Sequence, residues 1–346
     1  MEQTAFLIAF LLIVIGGIME GSFSLPLRYT SKWEWENTWG AGSLMALILI
    51  PWPLAFLTIP NLIEVYANTS FLSIFLALIF GIGWGVGGIY FGKGLDALGM
   101  AFGYTLIMSL AAAGGSLLPL LINNPSQVLE PAGIVLLVGI IIMIIGLLVT
   151  ARAGKLKDQE LTVIGIAQES NGRVSFSRGM FYCILAGLFS ALVNFGFIYG
   201  ADIGVEAEKF GASEANASNA IWALVFTMNF LVNTIYCLYL SLRNKTFSNF
   251  IKKGTGKYWF WALFMGLLWP GGIVVYGMGA VKIGALGPIF GFPVMIICSI
   301  IAGNLWGIFN KEWLGTTRNP RKIMMLGVAL LAIAVFVIGF SNKLVA

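Results

Sequence analysis

Of the chain's 346 residues, 59% are hydrophobic and only 10% charged, and the mean hydropathy is +0.91. Soluble domains carry roughly a quarter charged residues, so this composition excludes a water-soluble globular protein. Histidine is absent and the formal charge is +5, which excludes histidine-based metal sites and histidine proton relays.

In chain order, apolar runs fall at 4–25, 39–59, 71–92, 99–122, 131–151, 179–200, 218–242, 258–281, 285–309 and 323–341. Each is about the 20 residues needed to span a hydrocarbon core. The fold class expected is an all-α integral membrane protein with ten transmembrane helices. The first run follows Met1-Glu2-Gln3, without a basic flank or a small-residue cleavage site. It is therefore expected to be a helix of the bundle and not a cleaved export signal. Pro51 and Pro53 interrupt the second run, Pro119 the fourth, Pro270 the eighth, and Pro288 and Pro293 the ninth. In a packed bundle such prolines create kinks and free carbonyls that line a cavity. Cys183, Cys237 and Cys298 lie in different runs and read as small buried hydrophobes, not as a disulfide framework.

The connections give an orientation. All of the 20 Lys and Arg except Lys209, Lys282 and Lys343 fall in connections after odd-numbered runs. Positive charge stays cytoplasmic, which puts both termini on the outer, periplasmic side of a cell inner membrane. Basic residues spread as loop anchors exclude a nucleic-acid partner; the expected surroundings are the lipid bilayer.

The longest polar connection, 152–178, divides the chain into residues 1–151 and 179–346. At an offset of 185 residues, Gly81 meets Gly266, Trp84 meets Trp269, Gly87 meets Gly272, Gly92 meets Gly277, Gly94 meets Gly279 and Gly99 meets Gly284. Five is odd, so two five-helix copies must have opposite topology. Two inverted five-helix repeats with a site between them form a recurring transporter plan.

Glu20 is the only charged residue inside any of these runs. Placing an acid deep in a helix costs about 2.5–3.5 kcal/mol on insertion scales, which marks Glu20 as a proton-coupling candidate. Gly16 and Ser24 lie four residues to either side and share its face. The alternative is a Glu that snorkels or pairs with a basic neighbour. In the seventh run Trp222, Phe226, Asn229 and Asn233 form one helical face. Amides suit sugar hydroxyls and aromatic rings suit the apolar sugar face, although the asparagines could equally bond neighbouring helices. Asn194, one turn from Ser190 in the sixth run, is a similar candidate. Trp84 and Tyr90, with Trp269 and Tyr276, could line a cavity from symmetric positions or pack in the core. Asn304 reads as packing. Gly83-x-Gly85-x-x-Gly88 matches a dinucleotide fingerprint formally, but it follows no strand and is read as close helix packing. Lys93, Asp96, Asp202 and Lys282 stand at helix ends, and Trp33, Trp35 and Trp39 read as interfacial anchors.

These residues carry a family likeness. The chain resembles the bacterial L-rhamnose–proton symporters of the drug/metabolite transporter superfamily, nearly end to end. The likeness runs through Lys32-Trp33-x-Trp35-Glu36 with Trp39, Ile50-Pro51-Trp52, Pro60-Asn61, Phe80-Gly81-x-x-Trp84-Gly85 and Leu98-Gly99-Met100. It continues through Arg152-Ala153-Gly154-x-Leu156-Lys157, Gly187-x-Phe189-Ser190-Ala191 and Lys311-Glu312-Trp313. The resemblance implies uptake of L-rhamnose or a related deoxy sugar with a co-transported proton. Glu20 is not a fixed feature of the family pattern, and the stretch Gly287–Pro293 is more apolar than typical members. The other reading is proton-driven export of metabolites or cationic drugs, since a first-helix acid is similar to that of small multidrug transporters. An enzyme would need a dyad, a metal or a cofactor site, and none is legible. No cofactor or metal is expected, and oligomeric state is not legible.

Overall fold

The computed structural model describes residues 3–23, 25–163, 175–311 and 313–345. Met1, Glu2, Ser24 and Glu312, named above, lie outside the described residues. The regular elements among the described residues are all helical: α1 (Gln3–Ser22), α2 (Trp35–Leu44), α3 (Pro51–Thr58), α4 (Leu62–Asn68), α5 (Phe71–Asn123), α6 (Pro131–Val163), α7 (Phe176–Tyr199), α8 (Ala201–Lys209), α9 (Glu214–Asn244), α10 (Gly256–Ile283), α11 (Gly287–Phe309) and α12 (Arg318–Val345). Ten stretches of these helices are long and apolar enough to cross a membrane, and they fall on the expected runs in order.

Two details depart from a simple picture of straight rods. The second span is built of α2, a π-helical turn at Met45–Leu49, and α3, which restarts on Pro51. Proline suits a first helical position because it has no N–H to leave unbonded. The third and fourth spans, Phe71–Leu95 and Leu106–Asn123, belong to one helical tract that turns back on itself. The Phe91 and Tyr104 rings lie 6.0 Å apart, whereas 13 residues of straight helix would separate them by about 20 Å. The expected linker at 152–178 begins as helix, since α6 continues to Val163.

Small residues set how closely the spans approach. Lipid tails supply no hydrophobic drive between helices, so tight backbone packing at glycine carries much of the association. α1 is clamped between α10 and α11 in this way. A side-chain carbon on Gly16 would stand 2.6 Å from the Gly272 carbonyl oxygen, and one on Gly272 2.6 Å from that of Gly16. One on Gly17 would overlap Met295, and one on Gly21 would overlap the Ser299 carbonyl. α7 packs on both legs of α5, with Gly83 against Leu192 and Gly187 against Leu110.

The surface is apolar, and the mostly apolar interior holds a set of buried polar side chains. Leu57, Phe71, Leu148 and Phe336 are exposed, while Asn194, Ser116, Asn219, Asn229 and Asn233 are buried. Only hydrocarbon tolerates so large an apolar exterior. The three cysteines are free and buried, as their apolar settings predict. Gly83, Gly85 and Gly88 lie within helix α5, which removes the dinucleotide fingerprint.

Candidate functional site

A cavity of about 620 Å³ lies between the helices, a size suited to a small ligand with water. Most of its residues come from the halves of the helices nearer the basic connections, among them Trp35 and Trp39 of α2, Gly92 and Leu95 of α5, Gly154 and Lys157 of α6, and Gly307 of α11. The cavity therefore opens toward the basic face, where Lys157 lies over the Trp313 ring at 5.3 Å.

Its floor is aromatic and amide. Trp84 and Trp269 both line it and touch at 5.8 Å. Trp39 stacks on Trp35 at 5.5 Å and lies 5.3 Å from Trp269. The Trp39 indole N–H donates to Asn233 Oδ1 at 2.8 Å, while Asn233 Nδ2 donates to the Asn229 carbonyl at 3.0 Å and also to its side-chain oxygen. One helical turn of α9 thus presents a polarised amide pair held in place by an indole. This order is what the i,i+4 spacing of the two asparagines allows.

Glu20 stands on the opposite wall, where α1 meets α10 and α11. Its neighbour Gly21 is pressed on Ser299, and its own backbone nitrogen faces Gly272. The side chain lines the cavity. Oε2 is buried and has no hydrogen-bond partner among the described residues. Tyr104 and Ser299 line the same wall, with the Tyr104 hydroxyl facing the Ser299 side chain. Below Glu20 the seam is fastened by Trp306, whose indole N–H donates to Ser22 Oγ at 2.8 Å.

At the far end the cavity is sealed by rings. Trp222 stacks on Phe226 at 5.5 Å, Phe197 lies 4.6 Å from Trp222, and Tyr276 lies 6.1 Å from Phe292. Asn194 ties this end together. Pro119 has no N–H for the Gly115 carbonyl four residues before it, and Asn194 Nδ2 donates to that carbonyl at 2.7 Å. The same nitrogen donates to the Pro288 carbonyl at 3.0 Å, and Asn194 Oδ1 accepts from the Tyr276 hydroxyl at 2.6 Å. The carbonyl freed by Pro119 is therefore capped by a side chain and does not line the cavity.

The family described as L-rhamnose-proton symport protein (RhaT) matches residues 2–343. The chain belongs to this family. RhaT proteins are transporters and not enzymes. Among its relatives, an L-rhamnose-proton symporter of Yersinia pestis (strain Pestoides F) is 23% identical over 339 residues, covering 95% of this chain and 96% of that protein. The L-rhamnose-proton symporter of Escherichia coli O17:K52:H18 (strain UMN026 / ExPEC) is 24% identical over 344 residues, with the same coverage.

In this RhaT member the candidates separate into two groups. Glu20, Trp84, Asn229, Asn233 and Trp269 line the cavity together. Trp222, Phe226, Asn194 and Tyr276 do not; they form or brace its sealed end. Tyr90 is outside both, packed on Tyr182 at 5.8 Å with the Lys93 ammonium over its ring. Asn304 lines the cavity, against the expectation of packing. The interfacial-anchor reading fails for Trp39, which is buried in the floor, and for Trp33, buried against Tyr258 at 5.4 Å with its N–H on the Asn249 carbonyl. Glu36 precedes the second apolar run in sequence, yet it is buried at the start of α2 and accepts from Asn244 Nδ2 and Thr246 Oγ1 at 3.0 and 2.7 Å. The single sequence signal for Trp39 is its spacing of four from Trp35, which continues the helix toward its partner.

Proposed function

We propose that this chain takes up L-rhamnose, or a closely related deoxy sugar, together with a proton by alternating access across the inner membrane. The observation that carries it is the meeting of a buried Glu20 carboxyl, whose Oε2 has no hydrogen-bond partner among the described residues, with an amide pair and indole faces in one cavity. Asn229 and Asn233 hold the sugar hydroxyls, and Trp39, Trp84 and Trp269 cover its apolar face. Glu20 carries the proton, so the loaded wall crosses the low-dielectric region neutral. That is the form burial favours for any carboxyl. Moving one charge through 100 mV supplies about 2.3 kcal/mol, or roughly fiftyfold accumulation.

The cycle rests on residues 1–151 and 179–346 being inverted copies joined through 152–178, and exchanged contacts support this. A side-chain carbon on Gly81 of the third span would stand 2.5 Å from the Val225 carbonyl of the seventh, and one on Gly266 of the eighth 3.0 Å from the Ala46 nitrogen of the second. One on Gly87 would stand 3.0 Å from the Ser190 nitrogen of the sixth span, and Gly272 meets Gly16 of the first in the same way. Trp39 meets Trp269 at 5.3 Å, and Phe226 meets Trp84 at 5.8 Å. With positive charge inside and both termini outside, the cavity faces the cytoplasm.

Labelled L-rhamnose uptake in a strain lacking sugar transport tests the reading; uptake no higher than with empty vector removes the substrate. Export by antiport is the second reading, favoured by Glu20 alone. The two differ in sign, because substrate added to de-energised cells makes the medium alkaline in symport and acid in antiport.

A further inference from the structure

We propose that Ser218 and Trp222 are the outward-facing sugar contacts of this transporter, shut off in this conformation by Gly277. The inference rests on the proposed transport cycle and names residues for its other half.

The two ends of the bundle carry the same arrangement in different states. On the basic side, Trp35 and Trp39 stack at 5.5 Å and 13°. On the far side, Trp222 and Phe226 stack at 5.5 Å and 17°. Each pair is spaced by four residues, and each faces one glycine of a neighbouring span, Gly92 for the first and Gly277 for the second. Among the described residues, a side-chain carbon on Gly92 would find only Trp35, at 4.0 Å, and that end opens into the cavity. A carbon on Gly277 would stand 2.7 Å from Trp222 Nε1 and 3.1 Å from Ser218 Oγ. That end is shut.

The shut end holds polar groups that closure leaves unbonded. Trp222 and Ser218 are each 1% exposed. Neither the indole N–H nor the hydroxyl has a hydrogen-bond partner among the described residues. Burying such a group unpaired is unfavourable, because it gives up water and gains no partner. Two of them side by side, aimed at the one residue without a side chain, lower the barrier to parting α9 from α10. Once parted, they present a donor and a donor–acceptor beside an aromatic face, the combination that suits a sugar.

The test uses the full-length protein carrying Cys183→Ala, Cys237→Ala, Cys298→Ala and Ser218→Cys, labelled from outside with a membrane-impermeant maleimide. Gly277→Leu should keep the outer end from closing and speed labelling about tenfold, the signature of a population shift. Gly92→Leu should prevent closure of the basic end and suppress labelling. Gly277→Ala is the milder companion should the leucine variant not assemble, and it should act in the same direction. L-rhamnose should protect the thiol introduced by Ser218→Cys when both glycines are kept. Labelling that responds to neither glycine overturns the gate. Labelling that responds but is not slowed by L-rhamnose, in a protein that still takes that sugar up, overturns the sugar contact. A responding gate in a protein without L-rhamnose uptake leaves the gate standing and removes only the proposed substrate.

Discussion

The indoles of Trp84 and Trp269 meet edge-on, 5.8 Å between centroids and inclined by 71°, at the boundary between the open cavity and its sealed end. Trp84 also touches Phe226 of the sealed end, and Trp269 touches Trp39 of the open one. The pair thus bridges the boundary between the open cavity and the packed rings.

Replacing Trp269 by Ala removes an aromatic face while leaving the amides in place. Aromatic contacts add ~0.5–1.5 kcal/mol beyond area burial, so the KM for L-rhamnose should rise about tenfold, with Trp269→Phe close to the parent. Initial uptake rates over a sugar series check this, and an unchanged KM in Trp269→Ala would remove the indole from the site.

Glu20→Gln keeps shape and hydrogen bonding but cannot cycle a proton. Accumulation against a gradient should fall from roughly fiftyfold at 100 mV to none. Exchange of labelled for unlabelled sugar across the membrane should persist. Accumulation that survives the change would make Glu20 a structural residue.

Trp39→Phe deletes the N–H that Asn233 Oδ1 accepts at 2.8 Å. The buried oxygen left behind costs about 1–3 kcal/mol, and the Asn229–Asn233 pair loses its orientation. Sugar binding by titration calorimetry should weaken by about tenfold or more. Trp35→Phe, which leaves that bond in place, should bind nearly as the parent does.

Asn194→Leu strips the sealed end of its tie to Gly115, Pro288 and Tyr276. Thermal unfolding in detergent should shift down markedly, since several buried groups lose partners at about 1–3 kcal/mol each. Adding Pro119→Ala restores an N–H for the Gly115 carbonyl, so the double variant should recover part of the loss. Such non-additivity is expected of residues sharing one partner. Simple addition of the two effects would refute the capping role.

Ten spans are legible in the sequence because a bilayer demands about 20 apolar residues at a time, and no other environment leaves that imprint so plainly. Glu20 is legible for the converse reason, as the one charge those runs contain. Asn229 and Asn233 follow from helical spacing. Spacing says which residues share a face but not how deep along the helix a given turn sits relative to a partner. Trp222 and Phe226 therefore share the asparagines' face yet lie in the sealed end, and Asn194 is spent on a carbonyl whose freedom comes from Pro119, in a distant part of the chain. Trp39 escapes a reading from sequence because an indole near a basic connection suits a membrane interface as well as a cavity floor. Only the partner, Asn233, distinguishes them.

α6 and α12 lie together over much of their length. Gly139 abuts Ile338, Gly146 abuts Leu331 and Gly327 abuts Thr150, while Ser341 Oγ donates to the Ala132 carbonyl at 2.6 Å. Past the membrane, the Glu160 carboxylate accepts from the Thr317 N–H and hydroxyl, both at 2.7 Å. A pair meshed this deeply and bolted at both ends has no room to slide. In the proposed cycle this pair stays together while other helices move, so a disulfide pinning Gly139→Cys to Ile338→Cys should leave turnover untouched.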